Sequence, residues 1–106
     1  ALPCAVKIPT PRLLADPEQL EALEREARSL ALLKHPRIVR LQQFGHVDNI
    51  PFLATDYIPG LTLKEYLAQK RSISHRQAAY LIAELANCLQ HAHDRGVIHR
   101  DLKPAN

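Results

Sequence analysis

The order of elements along the chain predicts an α+β fold: a strand and a helix, then two more strands, then helices only. The 106 residues give room for one small domain, and 46% hydrophobic with 24% charged residues is typical of a globular chain. The sequence contains no Met and opens directly on a strand-like segment. We therefore expect it to be a piece of a longer protein.

The first part of the chain predicts a strand and a helix. Cys4–Ile8 is a short β-prone run between two prolines, and a proline-rich loop should follow it to Pro11. Asp16 is the expected N-cap of the helix, with Gln19 at the second position of a capping box. The helix should end near Lys34, because a proline two residues later disfavours helical geometry there.

The middle of the chain predicts two antiparallel strands. The runs Ile38–Leu41 and Ile50–Tyr57 are β-prone, and the turn-forming residues Gly45 and Asp48–Asn49 separate them. Strands joined by so short a connection pair in antiparallel fashion. The dipeptide Pro59–Gly60 then breaks the chain.

The last part predicts two helices, each opened by a capping box. Thr62 with Glu65 begins a short helix, and Ser74 with Gln77 begins a long one. Gly96 should end the long helix, because glycine accepts the left-handed conformation that follows many helices. The apolar residues of the long helix recur at the helical period and are Ala78, Leu81, Ile82, Leu85, Leu89 and Ala92.

Composition limits the classes of function. Fourteen Lys and Arg against eleven Asp and Glu give a net charge of +3, which fits an anionic ligand such as a phosphate and does not require nucleic acid. Every uncharged stretch is far shorter than the roughly 20 apolar residues that span a bilayer, so we expect no membrane segment within this chain. Cys4 and Cys88 match no metal-ligand spacing and suit a reducing compartment.

The final residues, His99-Arg100-Asp101-Leu102-Lys103-Pro104-Ala105-Asn106, resemble the catalytic loop of the protein kinases, with the lysine of the serine/threonine branch. By this resemblance Asp101 accepts the proton of the substrate hydroxyl and Lys103 reaches the transferred γ-phosphate. Asn106 would bind a Mg²⁺ ion through its amide oxygen. Arg100 would contact a phosphorylated activation loop.

The first strand carries a second part of the resemblance. Ala5-Val6-Lys7 is similar to the kinase V-A-I-K strand, which makes Lys7 the residue that holds the α- and β-phosphates of ATP and Ala5 a residue that packs on the adenine ring. At roughly 100° per residue, Glu26 falls on the apolar side of its helix. A buried carboxylate needs a partner. Kinases form a Lys–Glu ion pair in their active state, so we expect Glu26 to pair with Lys7.

Residues 51–60 are similar to the kinase strand and hinge that meet adenine. The resemblance implies that Thr55 is the gatekeeper and that the backbones of Asp56 and Ile58 carry the adenine hydrogen bonds. It also assigns three residues to the stacked spine that links helix, sheet and catalytic loop; they are Leu30, Leu41 and His99.

The resemblance therefore implies an incomplete two-lobe kinase fold of the bacterial type. Residues 1–58 would form part of the N-lobe, from its third strand through the αC helix to the hinge, and residues 59–106 the start of the C-lobe. The implied function is transfer of the ATP γ-phosphate to Ser or Thr hydroxyls of proteins, with ATP and Mg²⁺ as cofactors. We expect a cytoplasmic segment, in a parent protein that could be membrane-anchored.

Three alternatives stay open at this point. A pseudokinase of the same fold would bind nucleotide or act as a scaffold without catalysis. A small-molecule phosphotransferase shares part of the loop pattern, although Arg100 and Lys103-Pro104 speak against it. Nucleic-acid binding has little support because the basic residues are scattered and lack an aromatic platform. The Gly-rich and D-F-G segments of a kinase are absent from this sequence, so we expect the isolated piece to be inactive and poorly stable.

Overall fold

A computed structural model describes residues 3–69, 72–99 and 102–106. The chain divides into two compact units, Ala1–Ile58 and Pro59–Asn106. The first unit contains the strands β1 (Cys4–Lys7), β2 (Leu41–Val47) and β3 (Ile50–Asp56) and the helices α1 (Pro11–Leu14) and α2 (Pro17–Ala31). The second contains the helices α3 (Leu63–Ala68) and α4 (His75–Asp94).

The three strands form one antiparallel sheet in the order β1-β3-β2, so β3 lies in the centre. Asp48 and Asn49, at φ 51° and 64°, form the two-residue turn between β2 and β3. Positive φ at both central residues is the geometry that matches the twist of a tight hairpin. The predicted antiparallel pairing is confirmed, but Gly45 lies within β2 rather than in the connection.

The predicted boundaries of the second strand are wrong. Ile38 belongs to a turn in which its N–H donates to the His35 carbonyl at 3.1 Å, and β2 begins at Leu41. A β-bulge between Leu41 and Gln43 inserts one extra residue into β2. Leu41 and Phe44, three residues apart, therefore both pack against the core. This spacing hides the period-two pattern by which a strand is recognised in a sequence.

The region before α2 also differs in detail from the prediction. A one-turn helix, α1, stands after the expected loop, and the Thr10 hydroxyl caps it by accepting from the Leu13 N–H at 3.3 Å. Asp16 caps α2 as predicted, but its carboxylate accepts from the Glu18 N–H at 3.0 Å. The capping box expected with Gln19 is therefore wrong.

Helix α2 ends at Ala31, before the expected Lys34. The Leu32 N–H bonds to the Ser29 carbonyl at 3.1 Å and the Leu33 N–H to the Leu30 carbonyl at 3.1 Å. These three-residue bonds tighten the last turn, as is common at helix ends. The tightened turn accompanies the burial of Leu33, which is 8% exposed.

The core of the first unit lies between α2 and the sheet. Leu23 and Ala27, one turn apart on α2, pack against Leu53 of the central strand. Each of the three is less than a tenth exposed. Three half-buried residues complete this cluster: Leu30, Leu41 and Phe44.

In the second unit both predicted capping boxes are confirmed. The Thr62 N–H donates to Glu65 at 3.0 Å, and the Ser74 N–H donates to Gln77 at 2.9 Å. The first of these bonds favours the ionised carboxylate and holds the pKa of Glu65 below its usual value.

Gly96 ends α4 as predicted. It has φ 76°, its N–H donates to the His93 carbonyl at 3.0 Å, and the Val97 N–H donates to the Ala92 carbonyl at 2.9 Å. These two bonds form a complete Schellman motif. Of the predicted apolar stripe of α4, Ala92 is buried but Ile82 is 63% exposed. No helix in the described ranges is long and apolar enough to cross a membrane.

Candidate functional site

Lys7 and Glu26 form the charged centre of the first unit. Lys7 is the last residue of β1, and Glu26 lies on the face of α2 that turns toward this strand. The Lys7 ammonium donates to a Glu26 carboxylate oxygen at 2.9 Å. The expected ion pair is therefore present. Its surroundings differ from the expectation, because the side chains are 60% and 43% exposed and Glu26 is not buried.

Exposure changes what the ion pair contributes. A solvated pair contributes about 0–1 kcal/mol to stability, because water screens the charges. The pair instead fixes the direction of the Lys7 ammonium, a cation with three donors that can bind phosphate oxygens. Its accessibility is what an incoming anion requires.

A groove opens beside this pair. Lys7 and Glu26 line one part of it, and the register of the sheet places Ala5 directly opposite Thr55 in another. The volume of the groove is about 340 Å³. Its remaining lining is aliphatic: Val6, Leu30, Val39 and Leu53. An apolar wall with one cation beside it suits a ligand that joins a flat apolar ring to an anionic group.

The predicted hinge follows directly from β3. The Asp56 N–H donates to the Arg40 carbonyl at 3.0 Å, and the Tyr57 N–H donates to the Pro3 carbonyl at 3.3 Å. Both bonds tie the start of the hinge to the neighbouring segments of the first unit. Ile58, the second predicted adenine contact, is 63% exposed.

The carboxylate of Asp56 makes contacts that the sequence analysis missed. One oxygen accepts from the Gln42 amide nitrogen at 2.7 Å and from the Arg40 guanidinium at 3.4 Å. Gln42 lies at the β-bulge, between Leu41 and Gln43. The spacing of Leu41 and Phe44 was the one available signal, because two core residues three apart on a strand indicate an inserted residue.

The segment 102–106 lies in the second unit. The Lys64 N–H, in the first turn of α3, donates to the Pro104 carbonyl at 2.9 Å. The Asn106 N–H donates to the Lys103 carbonyl at 2.9 Å and closes a turn. The start of α3, itself fixed by a capping box, thus holds the segment that carries Lys103 and Asn106. Arg100 and Asp101 lie outside the described residues.

Of the predicted site residues, the first unit brings Ala5, Lys7, Glu26 and Thr55 to one groove. Two predicted spine residues, Leu30 and Leu41, pack against the same core cluster. The third, His99, belongs to the second unit. A lysine in an ion pair beside an apolar groove, together with the H-R-D-L-K-P-A-N sequence, is typical of phosphoryl-transfer enzymes.

The family model of the protein kinase domain matches residues 3–106. The chain therefore belongs to the protein kinase family. Two curated bacterial relatives are similar to it: serine/threonine-protein kinase PrkC of Bacillus subtilis, 34% identical over 91 residues, and PknB of Mycolicibacterium smegmatis, 35% identical over 106 residues. These matches cover 86% and 96% of this chain.

Solved structures agree with this assignment. The crystal structure of the Mycobacterium tuberculosis PknI kinase domain matches 97% of the chain with a TM-score of 0.80 and 30% sequence identity. The chain spans only 14% of the length of PrkC, 17% of that of PknB and 42% of the PknI chain. The fold is thus a partial protein-kinase fold, α+β with a three-stranded antiparallel sheet.

Proposed function

We propose that this chain is the core segment of a kinase that transfers the γ-phosphate of ATP to Ser and Thr hydroxyls of proteins. The observation that carries the proposal is the Lys7–Glu26 ion pair, 2.9 Å long, beside a groove that also holds Ala5 and Thr55. The names of PrkC and PknB, both serine/threonine-protein kinases, support the choice of substrate hydroxyl.

In the first unit, the proposed roles concern the nucleotide. Lys7 binds the α- and β-phosphates, and Glu26 holds its ammonium in place. Ala5 and Thr55, which face each other across β1 and β3, contact the adenine ring, with Thr55 as gatekeeper. The backbones of Asp56 and Ile58 form the hydrogen bonds to the base.

In the second unit, the proposed roles concern the transfer itself. Asp101 accepts the proton of the attacking hydroxyl, and Lys103 neutralises charge on the transferred phosphoryl group. Arg100 binds a phosphorylated activation loop in the complete domain. Asn106 presents an amide oxygen, a donor type that Mg²⁺ accepts.

Magnesium fits this donor set only in part. Mg²⁺ requires about six oxygen ligands, so Asn106 needs ATP phosphates, water and residues outside this chain to complete the set. When bound, the ion would neutralise charge on the phosphate oxygens. The turn between Lys103 and Asn106 keeps both side chains on one short segment.

The proposal extends to organisation and location. Residues 1–58 form part of the kinase N-lobe and residues 59–106 the start of the C-lobe. The partners are ATP and proteins that offer Ser or Thr, and we expect no nucleic acid. We place the segment in the cytoplasm, where ATP is available.

The test uses the complete kinase domain that contains these 106 residues. Transfer of labelled phosphate from ATP to a protein substrate is measured for the parent, for Asp101→Asn and for Lys7→Met, with Lys34→Met as the matched control at an exposed lysine. We expect losses of about 100-fold or more for the first two variants, the range of general-base and charge-stabilising groups. Lys34→Met should retain the parental rate.

Nucleotide binding separates the competing functions. Asp101→Asn should still bind ATP, because its proposed role begins only at transfer. A parent domain that binds ATP but transfers nothing would identify a pseudokinase. Phosphorylation of sugars or choline in place of proteins would identify a small-molecule phosphotransferase. An unaltered rate in Asp101→Asn would refute the catalytic assignment.

A further inference from the structure

The carboxylate of Asp56 is held by side chains from a neighbouring strand and the residue before it. The Gln42 amide lies 2.7 Å from one carboxylate oxygen, and the Arg40 guanidinium reaches the same oxygen at 3.4 Å. The first distance is that of a short, charge-assisted hydrogen bond. The side chain of Asp56 is 30% exposed and that of Arg40 is 61% exposed, so these contacts lie at the end of the central strand and are partly open to solvent.

The register of the sheet explains why Gln42 reaches Asp56. Leu41 lies opposite Thr55, and neighbouring residues of a strand point to opposite faces, so Gln42 and Asp56 share the other face of the sheet. The bulge between Leu41 and Gln43 lies at the same place, and bulges are enriched beside functional sites. The register thus brings an amide donor to the first residue of the hinge.

The backbone of Asp56 is held at the same place. Its N–H donates to the Arg40 carbonyl at 3.0 Å, and the Thr55 hydroxyl lies 3.4 Å from its carbonyl oxygen. The carboxylate and the N–H are both fixed to the segment 40–42, and the Tyr57 N–H, which belongs to the peptide plane after Asp56, donates to the Pro3 carbonyl at 3.3 Å. The direction of the Asp56 carbonyl follows from these constraints.

We infer that Gln42, assisted by Arg40, is a positioning residue for nucleotide recognition. It fixes the Asp56 carboxylate and so directs the Asp56 carbonyl toward the 6-amino group of a bound adenine. The inference rests on the proposed function, because it assumes that adenine lies at this hinge. It adds a determinant of base selectivity that acts through another residue and does not touch the nucleotide.

The test measures selectivity for the 6-amino group in the complete kinase domain. Dissociation constants are determined for ATP and for purine riboside triphosphate, which lacks only this amino group. Gln42→Glu replaces the donor by an acceptor that repels Asp56, and Gln42→Ala removes the donor alone. Gln43→Glu, at the next position of β2, which is also exposed, is the matched control for the change in charge.

We expect the parent and Gln43→Glu to prefer ATP by about 5-fold, the usual contribution of one hydrogen bond. In Gln42→Glu the preference should fall to about 1–2-fold, with a smaller fall in Gln42→Ala. The double variant Gln42→Glu with Asp56→Asn reverses donor and acceptor, and it should restore most of the preference. The KM for the protein substrate should not change in any of them.

The outcomes separate this inference from the proposed function. A parent domain that binds neither nucleotide overturns the proposed function itself. A parent that binds ATP, with the same preference in Gln42→Glu as in Gln43→Glu, leaves the kinase assignment in place and overturns the positioning role. An equal loss of affinity for both nucleotides in both Gln42 variants also overturns it. Such a loss would come from a general structural defect, which weakens binding whether or not the 6-amino group is present.

Discussion

The two units of this chain are held together in different ways. Within the described ranges, five of the buried hydrophobic residues belong to the first unit, and the second contributes only Ala92; the five are Leu23, Ala27, Leu33, Leu53 and Ala54. The second unit instead shows hydrogen-bonded motifs at its helix ends, namely two capping boxes and a Schellman motif. Within this segment, which spans 42% of the PknI chain it matches, the first unit thus shows burial between elements distant in sequence, and the second shows hydrogen bonds at helix ends.

This difference extends to the candidate site. Lys7 and Glu26 are 19 residues apart, and only the packing of α2 on the sheet brings them together. Lys103 and Asn106 lie in one turn, and the start of α3 holds that turn through the Pro104 carbonyl. The Lys7–Glu26 pair should therefore be sensitive to core substitutions, and the turn that carries Lys103 and Asn106 to substitutions at the start of α3.

The largest effect on stability is expected for Leu53→Ala in the complete kinase domain. Leu53 is 3% exposed at the centre of the core cluster, so its truncation removes buried methyl groups and leaves a cavity. The free energy of unfolding should fall by about 3 kcal/mol. Arg76→Ala, at an exposed charged residue of α4, is the control and should change it by less than about 0.5 kcal/mol.

Urea denaturation followed by circular dichroism measures both variants. Leu53→Ala should also weaken ATP binding, because Leu53 lines the groove beside Lys7. Equal shifts of the urea midpoint for the two substitutions would show that the two units do not differ in the way proposed.

How far the sequence predicted the structure also differs between the units. The capping boxes at Thr62 and Ser74 and the end of α4 at Gly96 were all predicted, because each signal lies within a few residues of the feature it determines. The helical period of α4 predicted which residues form its apolar stripe, and Ile82 of that stripe is 63% exposed in a segment that spans only 42% of the PknI chain it matches.

In the first unit the errors have two causes. The bounds of β2 depend on a bulge that appears only when the strand pairs with β3. The Lys7–Glu26 pair was expected from the family resemblance and from the position of Glu26 on its helix. Its exposure was missed, because the angle around a helix does not give the depth at which a side chain lies. The contact between Gln42 and Asp56 joins residues 14 apart through the pairing of β2 with β3, and the spacing of Leu41 and Phe44 was its one signal in the sequence.

A smaller effect is expected for Gly96→Ala in the second unit. Gly96 has φ 76°, and a Cβ atom added there would meet no heavy atom within 4 Å, so the cost is purely conformational. The left-handed conformation should cost about 1–2 kcal/mol for alanine. Gly96→Asn should cost less, because asparagine tolerates this conformation.

Hydrogen exchange of the amides in the last turn of α4 measures the local effect, and urea denaturation gives the total. Protection in the first unit should not change. If alanine and asparagine cost the same, backbone conformation is not what ends α4 at this position.

The smallest effect is expected on acidification, which should weaken one capping box of the second unit and leave the other unchanged. Because its bond from Thr62 lowers the folded-state pKa of Glu65, this carboxylate stabilises α3 above its unfolded pKa of about 4.3, and the contribution is lost as the pH falls through the lower folded value. Gln77 occupies the same position in the box of α4 and has no charge to lose.

The nitrogen-15 NMR signal of the Thr62 amide should therefore shift between about pH 5 and the onset of unfolding, while that of Ser74 should not shift in this range. Glu65→Gln should abolish the Thr62 shift and keep the helix, since an amide oxygen still accepts the bond. A Ser74 signal with the same pH dependence would mean that acidification destabilises the whole unit. The two capping boxes would then not respond to pH independently.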